Sequence, residues 1–92
     1  MIADAAVLLM LIMDGDAPAG VLRIDGAREV SIHIAPERQG RGLAGAALKL
    51  LASIYPGWTF HARVLAGNQA SHTLFQSAGY RRESETRYVR SP

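Results

Sequence analysis

The stretch 31–54 constrains the fold more than any other part of the chain, because it joins an extended segment to a helix through two closely spaced glycines. Ser31-Ile32-His33-Ile34 is rich in the β-branched residues that suit a pleated strand. Pro36 has no N–H to give to a ladder and stops that strand. Leu43, Ala47, Leu50, Leu51 and Ile54 then recur at helical spacing, and Pro56-Gly57 closes the helix. Strand, glycine loop and helix in this order make an anion site. The glycines let the backbone approach a phosphate, and the helix start offers unpaired N–H groups and a partial positive charge.

Gly40-Arg41-Gly42-Leu43-Ala44-Gly45 also reads as G-x-G-x-x-G, so a dinucleotide fold is the obvious rival. That fold calls for an acidic residue on the ribose about 20 residues further on. No acid lies between Glu37 and Glu83. A lysine-type phosphate loop fails as well, because no Gly-Lys-Ser/Thr is present. The plain alternative is a pair of glycines serving only a tight turn.

Around this segment, residues 5–13 read as a buried strand, Asp14-Gly15-Asp16 with Pro18 as a turn, and 19–24 as a second strand. Asp25-Gly26 is a hairpin signal, and 29–35 is the third strand. After the helix over 43–54 comes a fourth strand at 59–65, with Phe60, Ala62 and Val64 on one side. Asn68 or Ser71 is placed to cap a second helix that runs to about Ala78, and Gly79 sits as its C-terminal cap. Residues 81–89 read as one last strand. The crossover helix makes strands three and four a parallel pair; the other pairings are antiparallel. The fold class is therefore α/β of the α+β kind, with a mixed, mostly antiparallel sheet and two main helices in a single domain over 1–92.

The chain has 92 residues and no cysteine, which excludes disulfides, thiolate metal sites and a cysteine nucleophile. The apolar run at 5–13 is shorter than the roughly 20 residues of a membrane span. Asp4 stands where a secretory signal would carry a basic residue, so the expectation is a cytoplasmic protein with no membrane partner. The three histidines show no ligand spacing, and no metal is expected. Residues 38–82 carry Arg38, Arg41, Lys49, Arg63, Arg81 and Arg82 with no acid, a positive field that favours a phosphate-bearing ligand. The aromatics are few and are not interleaved with the basic residues, so no nucleic-acid partner is expected.

Two motifs carry a family resemblance. Residues 31–48, with Gln39, Gly42 and Ala44 in the Gln/Arg-x-x-Gly-x-Gly/Ala pattern, are similar to the central motif of the GNAT N-acetyltransferase superfamily. Residues 68–80, with Asn68, Ser71, Leu74-Phe75 and Gly79-Tyr80, resemble the family's next motif, in register and with one strand between the two. The resemblance implies acetyl-CoA as cosubstrate and an amine acceptor, either a small molecule or a protein or peptide. It also implies that the third and fourth strands splay, and that the pantetheine arm lies in the gap along the backbone of Ile34 and Ala35. Gln39, Gly40, Arg41, Gly42, Ala44 and Gly45 would hold the pyrophosphate, while Asn68, Ser71 and Phe75 would line the far wall.

The chain departs from the pattern in three places. Phe75 replaces the family's tyrosine, which commonly protonates the leaving thiolate. Arg28 occupies the usual position of the general base, one residue before Glu29, and a shift of one residue flips a strand side chain to the other face. Glu29 and His33 are the candidate catalytic bases. The chain also begins at what resembles the family's second strand, lacking the first strand and two helices. A homodimer would cover the exposed sheet edge. The function implied is N-acetyl transfer from acetyl-CoA to an amine; the alternative is a non-catalytic acyl-CoA-binding or regulatory module.

Overall fold

The computed structural model describes residues 8–92. Within them, β1 (Leu8–Asp14), β2 (Ala17–Ile24) and β3 (Glu29–Ile34) form an antiparallel meander. A 3-10 turn over Pro36–Arg38 leads to α1 (Leu43–Ile54), then β4 (Phe60–Arg63), α2 (Gln69–Ser77), β5 (Arg81–Arg82) and β6 (Arg87–Arg90). The sheet order is β1-β2-β3-β4-β6-β5, with β3 and β4 parallel. The mixed sheet and two helices are as the sequence implies. Residues 5–7 of the first expected strand lie outside the described residues.

Strand alternation decides the core. Ile12, Leu22, Ile24, Val30, Phe60, Ala62 and Tyr88 are buried on one face, where Leu48 and Leu51 of α1 and His72 and Phe75 of α2 meet them. Each of these leucines contributes about 1.5–3 kcal/mol by leaving water. The helices touch one another, and a methyl group at Gly45 would reach Leu74. The helical stripe is rotated from the one read in the sequence: Leu50 and Ile54 are exposed, and Leu48 and Ala52 are buried in their place. On the other sheet face Leu9, Leu11, Val21, His33 and His61 are exposed, Glu29 is half-buried and Val89 is buried.

Turn chemistry fixes the ends. Asp25 Oδ1 accepts from the N–H groups of Ala27 and Glu29, closing the β2–β3 hairpin. Gly79 ends α2 at φ 92°, with Tyr80 N–H on the Phe75 carbonyl and Gly79 N–H on that of Gln76. Two expectations are corrected here. Pro18 lies inside β2, at a bulge opposite Met13 where its missing N–H is tolerated. Residues 81–89 are not one strand: Arg82 donates to the carbonyls of Ser84 and Glu85, folding a turn that separates β5 from β6.

Candidate functional site

The site begins where β3 and β4 stop pairing. Only Glu29↔His61 and Val30↔Ala62 are in register, and beyond them the strands diverge. Toward β2, Asp25 N–H donates to the Glu29 carbonyl and Ala35 N–H to that of Ala19; toward β4, the Arg28 carbonyl accepts from His61 N–H. Peptide groups alternate along a strand, so those of Ile32 and Ile34 point into the gap. The gap holds a cavity of about 350 Å³ bounded by Glu29, Ser31, Arg63, Val64 and Phe75. It adjoins a cavity of about 500 Å³ beside the glycine loop. Both touch Ile32, Asn68 and Ser71, so together they form one trench from loop to sheet.

The loop end of the trench is built from backbone. Gly40 and Gly42 take φ values of 80° and 76°, and a Cβ at either would meet open space. The left-handed backbone, not crowding, is what calls for glycine. Gly42 is the N-cap of α1 and no side chain caps that helix, which leaves its first N–H groups free of a side-chain partner at the trench. Gln39 Nε2 donates to the Ile34 carbonyl at 3.1 Å and fastens the loop over the end of β3. Arg38 and Arg41 both donate to Asp14 Oδ2, at 2.9 and 3.0 Å. The opposite wall is set by Asn68, whose Oδ1 accepts from Ser71 N–H and caps α2.

Against known proteins, the model of the acetyltransferase (GNAT) family matches residues 2–80. The chain belongs to the GNAT acetyltransferase family. No curated protein sequence matches it. Among solved structures, the GNAT chain is similar to the microcin C7 self-immunity acetyltransferase MccE, solved with acetyl-CoA and AMP, at TM-score 0.80 and 19% identity. That match covers 94% of this chain and 61% of MccE, under two thirds of the relative's length. The spermidine N-acetyltransferase SpeG from Vibrio cholerae matches at TM-score 0.78 and 19% identity, over 96% of this chain and 67% of SpeG.

In this GNAT chain, Ile34, Gln39, Gly40, Arg41, Gly42, Ala44 and Gly45 line the loop half of the trench. Asn68 and Ser71 lie on both halves, and Phe75 on the sheet half. Ala35 lines neither, because its N–H is spent on Ala19. Ile32 takes a place that sequence reading missed; the two-residue period back from Ile34 was the available signal.

Glu29 lines the trench, half-buried, with Oε1 3.7 Å from Arg63 Nη2. Arg28, at φ 62°, lays its guanidinium over the Trp58 ring at 3.9 Å, away from the trench. His33 is exposed at the rim. His72 is buried, with Nε2 facing the carbonyls of Leu65 and Ala66. Those oxygens only accept, so Nε2 carries the proton and Nδ1 takes the Tyr88 hydroxyl proton at 2.6 Å. The other two core tyrosine contacts stand behind Phe75: its ring centroid lies 5.0 Å from that of Tyr80 and 6.0 Å from that of Tyr88. Burial pushes the Tyr80 phenol up to about 12, with Arg90 pulling the other way, and its hydroxyl has no hydrogen-bond partner.

Proposed function

We propose that this chain is an N-acetyltransferase that moves an acetyl group from acetyl-CoA directly to an amine. The observation that carries the reading is the continuous trench from the uncapped N-terminus of α1 to Glu29. The loop amides and Arg41 would take the pyrophosphate, a dianion suited to a helix start and to the guanidinium donors that Asp14 does not occupy. The backbone of Ile34 and Ile32 would pair with the pantetheine arm, which completes β3 much as a strand would.

The amine nitrogen attacks the thioester carbonyl carbon and the carbon–sulfur bond breaks. The Ile32 N–H, aimed into the gap, is the donor in reach of the carbonyl oxygen as charge develops on it. Glu29, directly or through a water, takes the amine proton. Phe75 packs at the same wall but donates nothing, so the leaving thiolate takes its proton from solvent.

Phe75 also favours a second reading, a module that binds acyl-CoA without transfer. Mass spectrometry of a panel of amines incubated with acetyl-CoA separates the two. The proposal expects acetylation of at least one amine, reduced about 100-fold in Glu29→Gln with acetyl-CoA binding retained. Binding of acetyl-CoA with no product from any amine would favour the module.

A further inference from the structure

The sheet face opposite the helices has a division of character that the acetyl-transfer reading does not use. Residues paired across strands share a face. The pairs Leu9↔Arg23↔Ser31, Leu11↔Val21↔His33, Glu29↔His61↔Val89↔Arg81 and Arg63↔Arg87 therefore lie together on this side. At the β1–β2 end it is apolar, with Leu9 64%, Leu11 63% and Val21 41% exposed. Across β2, β4, β5 and β6 it carries Arg23, Arg63, Arg81 and Arg87. Among the described residues it holds two carboxylates, Glu29, which is engaged with Arg63, and Glu83, whose N–H donates to the Arg87 carbonyl just past β5.

The trench opens on the same face, since Glu29, Ser31 and Arg63 belong to both. A polypeptide docked on the face would therefore run beside Glu29. We propose that the acceptor is an amine carried by an acidic polypeptide segment with apolar residues beside its carboxylates. Four guanidinium groups against the carboxylates of Glu29 and Glu83 leave the face net positive, which selects negative charge and repels a polycation. The apolar strip suits leucine-like side chains next to the acidic ones. A nucleic acid fits less well, because the aromatic rings are elsewhere: Phe60, Phe75, Tyr80 and Tyr88 are buried in the core, and Tyr55 stacks on Trp58 beyond the end of α1.

The inference rests on the acetyl-transfer reading for its chemistry, but docking is measured separately. Fluorescence anisotropy is read for the 92-residue chain with three labelled peptides bearing free amino termini and equal apolar content, one acidic, one neutral and one arginine-rich. The acidic peptide is expected to bind at least about tenfold tighter than the arginine-rich one near 50 mM salt, and the gap to close near 0.5 M. Arg23→Glu with Arg87→Glu should reverse the order. With acetyl-CoA added, the acidic peptide should be the best substrate.

Equal or tighter binding of the basic peptide or of spermidine overturns the proposal, as does displacement of the acidic peptide by a single-stranded RNA at lower concentration. Self-association abolished by Leu11→Asp, with no peptide bound, would give the face to a second copy and overturn it too. Acidic-peptide binding in a chain that does not bind acetyl-CoA would uphold the docking surface and remove the transfer reading alone.

Discussion

The Ala35 N–H donates to the Ala19 carbonyl at 2.7 Å. This bond ties Ala35 to β2, and by alternation it leaves the peptide groups of Ile32 and Ile34 facing the gap beside β4. Amide hydrogen exchange by NMR reads the difference. In the free protein, Ile32 and Ile34 should exchange fast and Ala35 slowly. Acetyl-CoA should slow the first two at least about tenfold and leave Ala35 unchanged. Protection of Ala35 alone on adding ligand would contradict this placement.

Tyr80 supplies a prediction about stability. Its phenol is pushed up to about 12, first by burial and against the pull of Arg90, while an unfolded tyrosine titrates near 10. The folded state holds the proton more tightly, so the stabilisation is complete below pH 10 and is lost as pH rises from 10 to 12. Urea denaturation at stepped alkaline pH should show that decline. Tyr80→Phe should flatten it, and at pH 7 should cost less than about 1 kcal/mol, because the lost hydroxyl has no partner.

Phe75 is the substitution with the clearest catalytic consequence. Its ring is buried but lines the sheet half of the trench. Phe75→Tyr would bring a proton donor to that wall, and kcat should rise by about tenfold or more with little change in the affinity for acetyl-CoA. Unchanged turnover would mean that solvent already protonates the thiolate fast enough.

The parts of the fold legible in the sequence are those set by local chemistry. The alternation in Phe60, Ala62 and Val64, the glycine cap at Gly79 and the loop glycines at φ near 80° follow from short-range rules. What was not legible depends on partners distant in sequence. Asp14 bonds Arg38 and Arg41 from 24 and 27 residues away. His72 meets Tyr88 across 16 residues, and no local pattern marks that pair. Arg28 turns to Trp58 because a hairpin at φ 62° faces it toward the ring. The break between β5 and β6 came from Arg82 bonding backbone carbonyls, against a strand propensity that looked continuous. Ala35 turns its N–H to β2, and Ile32 lines the trench, because ladder direction is set by the neighbouring strand.

The central claim is that the trench takes acetyl-CoA through the loop at Gly40–Gly42, and calorimetric titration tests it most directly. Acetyl-CoA and CoA should both bind with micromolar affinity, and a dinucleotide should not. Gly42→Glu, which strains a backbone at φ 76° and adds a negative charge, should weaken binding by about 100-fold or more. Gly57→Glu, at a position with open space and outside the trench, should leave it intact. Absence of binding by either CoA species at millimolar concentration, or equal binding by Gly42→Glu, would contradict the account.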